Sequence, residues 1–379
     1  MPWQETSTME RRSAFVTAAQ QPGVNIRALC RRYAISPTTA YKWLARAASG
    51  AASPLSDRSR RPRQSPGQTA APMEQRIVAV RDAHPAWGGR KLRRRLQDQG
   101  ERGVPSASTI TSILRRTGRL DPAQASKHRA FIRFEAAAPN ALWQMDFKGH
   151  VPLAQGRCHP LTVLDDHSRY LVGLAACADE QTATVQAQLI TLFRRHGLPD
   201  RLLCDNGGPW GTTGSGVRYS RLGVWLLQLD IPLSHGRPYH PQTQGKDERL
   251  HRSLVAEVLG RSSFLDLAAA QQAFDQWQTV YNEQRPHAAL ALAVPASRYQ
   301  PSRRPFPEVL PAIEYPSGSS VRRVSSSGHI SFRGQDYDLG NAFAQQPVAL
   351  SPTATDAMWT VYFLHHEIAR LDVRTGTRQ

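Results

Sequence analysis

The sequence predicts a multidomain protein with N-terminal all-α helix-turn-helix units, a central α/β domain on a mixed sheet, and a small β-rich, barrel-like domain at the C-terminus. Residues 9–48 and 73–120 carry apolar residues at helical spacing between capping signals. Residues 140–300 alternate short β-like runs with amphipathic helices. Residues 301–350 lose the helical period and contain many turn residues. The chain of 379 residues is long enough for several such domains.

Positive charge is concentrated in the first third of the chain. The protein has 48 Lys and Arg against 30 Asp and Glu, a formal net charge of +18. Residues 1–130 hold 24 of these bases and 8 of these acids, and therefore +16 of the total. Such an excess is typical of proteins that bind polyanions, although basic secreted enzymes share it. We expect this third of the chain to contact phosphate.

Other classes of protein are excluded by patterns that the sequence lacks. No apolar run reaches the length of about 18 residues that a membrane span needs. The first residues carry charge and lack the apolar segment of a secretory signal. The four cysteines are widely spaced without a CxxC or a paired Cys/His motif, which predicts buried thiols rather than disulfides or a zinc module. We expect a cytoplasmic, nucleoid-associated protein.

Residues 1–50 are predicted to contain a first helix-turn-helix unit. A stripe of apolar residues from Ile26 to Tyr33 predicts one helix, and Ser36-Pro37 begins a second. In such a unit the second helix enters the major groove of DNA. The pattern alone favours a plain helical hairpin, and the charge excess shifts the interpretation to DNA binding. The candidate contacts on the second helix are Thr38, Thr39, Tyr41, Lys42 and Arg46.

Residues 51–72 predict a basic linker, and a second helix-turn-helix-like unit follows at 73–120. Ser106 or Ser108 is the expected cap of its last helix. The helical spacing predicts that a set of basic residues points outward from these helices, namely Arg93, Arg94, Arg95, Arg115 and Arg116. A solvated helix face and a second DNA contact explain these residues equally well. A further linker is expected at 121–139.

Three acidic residues of the α/β region lie where carboxylates can converge. Asp146 lies inside the first predicted strand, Asp205 ends the fourth strand, and Glu248 lies near the start of a helix. Three carboxylates at one sheet edge suit two Mg²⁺ or Mn²⁺ ions, with a substrate phosphate completing the coordination. Each acid taken alone is more simply a cap or an ion pair. Together with the basic N-terminal third, they indicate phosphoryl transfer on nucleic acid. The Asp165-Asp166 pair is instead expected to form a turn in which Asp166 caps and pairs with the next arginine.

The chain resembles the integrase core of bacterial insertion-sequence transposases, the ribonuclease H-like D-D-E group that includes retroviral integrases. The similar segments are WQMDFKGH, VLDDHSRY, LLCDNGG, RPYHPQTQGKDERLHRSL and YNEQRPHAAL, within residues 140–300. The resemblance implies a five-stranded mixed sheet flanked by helices. It also implies that Asp146, Asp205 and Glu248 are the metal-binding catalytic triad. Here 42 residues separate Asp205 from Glu248, more than the family's best-known spacing. The surplus is expected in a surface loop, GGPWGTTGSG, where insertion costs little stability.

Glu248 is the expected third ligand rather than either neighbouring acid. At about 100° per residue, Asp247 lies over the apolar stripe of its helix and Glu248 lies at the border of that stripe. Glu257 is about 13 Å further along the helix axis, too far to share one pair of ions.

The resemblance implies a DNA transposase. Its N-terminal units would bind the terminal inverted repeats of a mobile element, and its core would cleave the element ends and join them to target DNA. Because two ends must be cut and joined, a homodimer or a larger synaptic assembly is implied. Two alternatives stay open, a non-catalytic DNA-binding regulator derived from a transposase and a metal-dependent nuclease without strand transfer. Further candidate DNA contacts are His240, Lys246, Arg249 and Arg252, although Arg252 can also pair with Glu248 at i+4.

Overall fold

The computed structural model describes residues 7–50, 53–57, 67–120, 135–205, 207–210, 219–235 and 245–378. The chain divides into two compact units, Met1–Gln68 and Thr69–Gln379. The helices of the first unit are α1 (Thr8–Ala19), α2 (Ile26–Arg32) and α3 (Pro37–Ala47).

The first unit has the helix-turn-helix that the sequence predicts. Ser36 Oγ accepts a hydrogen bond from the backbone N–H of Thr39 at 3.2 Å, and Pro37 is the first residue of α3. The core consists of apolar residues from all three helices, namely Phe15, Val16, Leu29, Cys30, Ala40 and Trp43. Because Ala40 and Trp43 face inward, Tyr41 and Lys42 are left exposed.

The second unit begins with three further helices, α4 (Ala71–Ala83), α5 (Gly89–Asp98) and α6 (Ala107–Arg116). They enclose a separate cluster, namely Ile77, Val80, Trp87, Leu92, Leu96, Ile110, Ile113 and Leu114. Of the two serines proposed as caps, Ser106 accepts from the N–H of Thr109 at 3.2 Å. A Cβ on Gly89 would lie 2.4 Å from the carbonyl oxygen of Ala107, so the contact between α5 and α6 requires a glycine.

A mixed sheet forms the centre of the second unit. Its strands are β1 (Trp143–Phe147), β2 (Val151–Pro152), β3 (Arg157–Asp165), β4 (Leu171–Cys177), β5 (Leu202–Cys204) and β6 (Leu233–His235). The main order is β4–β3–β1–β5–β6, and the short β2 pairs with the start of β3. The pairs β1–β3 and β3–β4 are antiparallel, whereas β1–β5 and β5–β6 are parallel. The expected mixed sheet of five strands is therefore present, with β2 added.

Helices cover both faces of this sheet. They are α7 (Thr182–His196), α8 (Arg221–Gln228), α9 (Gly245–Leu254) continued by the π-helical Val255–Leu259, and α10 (Leu267–Thr279) continued by the π-helical Val280–Gln284. Leu161 and Val163 of β3 face the cluster formed with α7 and α8, whereas Cys158 and Leu164 face α9 and α10. This alternation, with period two along a strand, buries both faces of the sheet. Short 3₁₀ turns follow at Ala288–Leu290 and Pro295–Ser297.

The C-terminal domain is an antiparallel sheet, as the loss of helical period predicts. Its elements are β7 (Ser320–Arg323), β8 (His329–Phe332), β9 (Gln335–Asp338), a 3₁₀ turn (Asn341–Phe343), β10 (Pro347–Pro352), β11 (Met358–Phe363), β12 (His366–Asp372) and β13 (Thr377–Arg378). Five strands form one sheet in the order β13–β12–β11–β10–β7, and β8–β9 is a separate hairpin. Val224 and Leu227 of α8 belong to the same apolar cluster, so this domain packs on the core through α8.

One of the outward basic residues was predicted wrongly. Arg95 is half-buried, and its guanidinium donates to Gln284 Oε1 at 2.7 Å. Helical spacing within α5 could not show this contact because Gln284 lies 189 residues further along the chain. The bond ties the second helical unit to the end of α10.

The expectation for the cysteines is confirmed, since all four are buried and free. Burial raises the pKa of Cys158 to about 11. In the described parts of the chain, none of the helices combines the length and the apolar character needed to cross a membrane.

Candidate active site

Two of the three predicted acids lie side by side on neighbouring strands. Gln144 of β1 pairs with Leu203 of β5 in the parallel ladder. Continuing this register by two residues places Asp146 level with Asp205. Burial and then the nearby charge of Asp205 raise the pKa of Asp146 to about 7. The two carboxylates therefore form a close, like-charged pair.

Asp205 is oriented by the loop that follows it. Asp205 Oδ1 accepts a hydrogen bond from the N–H of Gly207 at 3.0 Å and another from the indole N–H of Trp210. The ring of Trp210 stacks on Phe147 of β1 with 5.3 Å between centroids. A Cβ on Gly207 would lie 3.2 Å from Asp205 Oδ2, so a larger residue at this position would crowd the carboxylate. The loop thus fixes the Asp205 side chain over the end of β1.

Helix α9 packs against β1 and brings two further polar residues to the pair. Asp247 is buried, and its Oδ1 has no hydrogen-bond partner among the described residues. Burial first, and then the charges of Asp146 and Asp166, raise the pKa of Asp247 well above its usual range. One turn later, His251 Nε2 lies 2.9 Å from Thr162 Oγ1, and His251 Nδ1 lies 3.8 Å from Asp146 Oδ2. Sequence reasoning missed both roles, although the i, i+4 spacing of Asp247 and His251 on the apolar stripe was a usable signal.

Glu248 lies on the exposed side of the first turn of α9. Within the described chain, Asp146, Asp205 and Glu248 do not form a group whose ligand oxygens all lie within 4.8 Å of one another. The Glu248–Arg252 ion pair that the spacing allows is not found among the described residues. The geometry is therefore two adjacent acids on the sheet and a third at the start of a packed helix.

The Asp165-Asp166 segment forms the expected turn with Asp166 near Arg169, but the carboxylate that caps the turn is that of Asp165 and not that of Asp166. Asp165 Oδ2 accepts from the N–H of Ser168 at 2.8 Å, and Arg169 Nη1 lies 4.0 Å from Asp166 Oδ2. Asp166 Oδ1 also accepts from Gln144 Nε2 at 2.6 Å. Both acids are fully buried in this network, which holds the turn between β3 and β4 against β1.

The donor set fits a hard divalent cation. Carboxylate oxygens are the ligands that Mg²⁺ and Mn²⁺ prefer. Burial first, and then repulsion from the charge of Asp205, disfavour the ionised form of Asp146 and raise its pKa. A divalent cation between them relieves that repulsion. Asp146 and Asp205 are thus able to hold such an ion from two sides.

The predicted DNA contacts differ in what surrounds them. The exposed ones that form no ion pair among the described residues are Thr38, Tyr41, Lys42, Arg93, Arg115, Arg249 and Arg252. Those engaged within the chain are Thr39 with Ser36, Arg46 against Trp43, Arg94 with Asp98, Arg116 with Glu74, and Lys246 with Asp166. His240 lies outside the described residues. Among the described residues, the side chains of the exposed set make no hydrogen bond or ion pair, although Lys42 Nζ lies 5.3 Å from the ring centroid of Trp43.

Family models match most of the chain in sections. Residues 136–241 and 229–295 match models described as integrase core domain. Residues 319–379 match the model of the IS481 family transposase C-terminal domain. Residues 11–63 match a helix-turn-helix domain, and residues 39–114 match a homeodomain-like domain.

Similar proteins include products of insertion elements. The chain is 26% identical over 159 residues to the insertion element IS407 uncharacterized 31.7 kDa protein of Burkholderia multivorans, covering 42% of this chain and 55% of that protein. It is 28% identical over 161 residues to the insertion element IS476 uncharacterized 39.2 kDa protein of Xanthomonas euvesicatoria, covering 42% and 44%. The chain spans about half the length of these curated relatives.

A cryo-EM structure of a simian T-cell lymphotropic virus intasome with a PP2A regulatory subunit has a TM-score of 0.40 at 12% identity, over 75% of this chain and 91% of that one. The chain thus combines segments that match an integrase core, a helix-turn-helix domain and the C-terminal domain of IS481 family transposases, and it is similar to insertion-sequence transposases of that family.

Proposed function

We propose that the chain is a DNA transposase that binds the terminal inverted repeats of its element and transfers the element ends into target DNA. The observation that carries the proposal is the level placement of Asp146 and Asp205 on parallel strands, beside a helix that bears a third acid in its first turn. This is the arrangement that phosphoryl transfer with two divalent ions requires.

Asp146, Asp205 and Glu248 are the residues that would hold two Mg²⁺ or Mn²⁺ ions. When bound, such ions lower the pKa of an attacking hydroxyl and stabilise the leaving oxygen. The chain itself fixes the ligands, since Trp210 and Gly207 orient Asp205. Glu248, on the exposed side of α9, is accessible to a DNA phosphate, whereas Asp247 is enclosed between α9 and the sheet.

The reaction has two steps of the same type. Water first attacks the phosphodiester at the element end, and the bond from phosphorus to the 3′ oxygen of the element breaks. That oxygen gains a proton and becomes a free 3′-OH. The 3′-OH then attacks a phosphodiester of target DNA, the target's own 3′ oxygen leaves with a proton, and the number of phosphodiester bonds is unchanged. Neither step forms a covalent bond to the enzyme.

The exposed basic and hydroxyl residues supply the DNA contacts in this proposal. Thr38, Tyr41 and Lys42 on α3 would reach the major groove of the inverted repeat. Arg249 and Arg252 would hold phosphates beside Glu248. Two ends must be joined together, so the active form would be a dimer or a larger assembly on double-stranded DNA of the nucleoid.

The test is a strand-transfer assay on the full chain with labelled element ends, target DNA and Mg²⁺. Joined product supports the proposal when Asp205→Asn abolishes it and Asp356→Asn, a change at an exposed acid of the C-terminal domain, leaves it intact. Hydrolysis without joined product would indicate a nuclease instead. DNA binding with neither product would indicate a non-catalytic regulator.

A further inference from the structure

Two histidines lie at the tip of the hairpin between β11 and β12. Phe363 pairs with His366, so Leu364 and His365 form a two-residue turn. The N–H of Leu364 donates to Tyr315 Oη at 3.2 Å, which ties the turn to the segment before β7. Because the backbone is fixed in this way, both imidazoles extend from a rigid support.

Asp230 reaches the same place from the catalytic core. It follows the end of α8, where its N–H donates to the carbonyl of Leu227 at 3.0 Å. Arg304 Nη2 donates to the carbonyl oxygen of Asp230 at 3.0 Å. The backbone of Asp230 is therefore held on both sides, and its carboxylate projects towards the hairpin.

The three side chains converge on one point. Asp230 Oδ1 lies 2.9 Å from His365 Nε2 and 3.4 Å from His366 Nε2. Their ligand atoms all lie within 4.8 Å of one another, and in the described chain this is the group of three such residues that meets this spacing. The ligands come from places 135 residues apart in the sequence, which is why no local motif indicated them.

The second observation is the state of His366. Its Nε2 is buried without a hydrogen-bond partner among the described residues. This Nε2 lies 3.4 Å from Asp230 Oδ1 without a hydrogen bond between the two atoms, an arrangement that a cation between them satisfies.

We propose that Asp230, His365 and His366 bind one divalent transition metal ion, Zn²⁺ in particular, between the catalytic core and the C-terminal domain. Two imidazole nitrogens and one carboxylate oxygen are a typical zinc ligand set, and solvent can supply a fourth, tetrahedral ligand. Mg²⁺ prefers an all-oxygen octahedral shell, so this site is selective against the ion expected at Asp146 and Asp205.

The ion would join the core to the C-terminal sheet. Val224 and Leu227 of α8 already pack into the apolar cluster of that sheet. A metal ion held by Asp230 and the hairpin adds a polar link at the end of the same interface. Because metal binding to the folded state alone adds stability, it would resist separation of the two domains.

The test is a titration of the full chain, first treated with a chelator, with Co²⁺ in the presence of excess Mg²⁺. Tetrahedral Co²⁺ absorbs visible light strongly, whereas Co²⁺ in an octahedral oxygen site absorbs weakly, so the two sites are told apart. We expect one equivalent of strongly absorbing Co²⁺ per chain, displaced by Zn²⁺. His365→Ala and Asp230→Asn should each weaken binding more than about tenfold. The matched controls, His329→Ala and Glu367→Gln, should bind like the wild type.

A second readout is thermal unfolding without DNA. Zn²⁺ should raise the Tm of the wild type and of both controls, and should leave the Tm of His365→Ala unchanged. Absence of the strong Co²⁺ absorption in the wild type would overturn the proposal. Equal Co²⁺ binding by His365→Ala and the wild type would overturn it too, and would assign the ion to other residues.

Discussion

Lys246, at the start of α9, forms an ion pair with the fully buried Asp166, 80 residues away in the sequence. The pair ties the first turn of α9 to the turn that follows β3. Glu248 lies two residues after Lys246, so the same pair fixes the part of the helix that bears the third acid. Breaking such a pair is costly because it leaves a buried charge without its partner.

We therefore expect Lys246→Met to destabilise the protein rather than weaken a phosphate contact. The free energy of unfolding should fall by about 2 kcal/mol, because the buried Asp166 loses its closest counter-charge and keeps only Arg169 at 4.0 Å and its amide donors. Arg249→Met is the matched control, since Arg249 is exposed on the same helix. Arg249→Met should keep the wild-type stability. The slope of log affinity for DNA against log salt concentration should become shallower by about 1, the effect of one lost phosphate contact. Urea unfolding and DNA titrations across salt concentrations measure both quantities. If Lys246→Met keeps full stability and its DNA affinity depends less steeply on salt, Lys246 contacts a DNA phosphate, as the sequence predicts.

Replacing the two neighbouring acids of α9 should separate chemistry from structure. Glu248→Gln removes a charge from an exposed position, so the stability should change by less than about 0.5 kcal/mol. Cleavage and joining should nevertheless fall by more than about a hundredfold, since a metal ligand is lost. Asp247→Asn should retain cleavage within about tenfold, because this side chain is enclosed between α9 and the sheet. If Glu248→Gln is active and Asp247→Asn is inactive, the third metal ligand is Asp247 and not Glu248.

Features set by neighbouring residues could be predicted from the sequence. The helix starts at Ser36 and Ser106 are local capping patterns, and the structure confirms both. The strands that carry Asp146 and Asp205 were also predicted, because apolar runs and the turns between them are local signals. Their placement side by side required the order of the sheet, which came from the family resemblance.

Contacts between distant segments were beyond the sequence. Arg95 bonds Gln284, and Lys246 pairs with Asp166, although helical spacing alone turned Arg95 towards solvent and left Lys246 available to phosphate. In both cases a polar side chain is satisfied by a partner brought close through tertiary packing. Periodicity shows which face of a helix is apolar, but it does not show what a basic residue at the border of that face contacts.

The metal requirement should follow the oxygen donors of the active site. Mg²⁺ and Mn²⁺ should support cleavage and joining, and Ca²⁺ should not, because its longer bonds and looser geometry misplace the reacting oxygens. Zn²⁺ alone should also fail. The strand-transfer assay with each ion after chelator treatment measures this, and pre-cleaved element ends isolate the joining step. Efficient cleavage in the presence of chelator would rule out the carboxylate site.

Acid should destabilise the core through His196. This residue lies buried at the end of α7, near Tyr170 and Tyr299, and its Nε2 has no hydrogen-bond partner among the described residues. Burial first, and then the charge of Arg195, lower the pKa of His196 to about 4. Between pH 6.5 and pH 4 the unfolded chain binds a proton that the folded chain does not bind. The free energy of unfolding should therefore fall by about 2 kcal/mol from pH 7 to pH 5 on account of this residue.

The change His196→Phe tests that contribution. Phenylalanine keeps an aromatic ring against the edge of the stacked Tyr170 and Tyr299 and cannot take up a proton, so the loss of stability towards pH 5 should be smaller by about 2 kcal/mol. His329→Phe, at an exposed histidine of β8, is the control and should keep the wild-type pH dependence. Urea unfolding at pH 7 and pH 5 gives the comparison. Equal slopes in all three proteins would show that His196 titrates normally in the folded state.

Deletion of the first compact unit, residues 1–68, should abolish specific binding of the element ends. Residues 1–68 carry 11 Lys and Arg against 3 Asp and Glu. Their core contains residues of α1, α2 and α3 together with Leu55, and so belongs to this unit alone. A chain that starts at Thr69 keeps the bond between Arg95 and Gln284, whereas a deletion of residues 1–130 removes α5 and exposes the end of α10. The first deletion should therefore leave the remaining chain folded, and the second should lower its stability.

The chain from Thr69 onwards should bind element ends no better than unrelated DNA. Its salt slope should be shallower than that of the full protein, by about 0.9 for each phosphate contact that is lost, because each contact releases condensed counterions. Thermal unfolding confirms that the shortened chain is folded, and titrations of specific and unrelated DNA at several salt concentrations give the slopes. The full chain with Lys42→Met is the milder comparison, since Lys42 is exposed on α3 and should lose about one contact. If the shortened chain instead keeps the affinity, specificity and slope of the full protein, recognition of the ends belongs to α4, α5 and α6, where Arg93 and Arg115 are exposed.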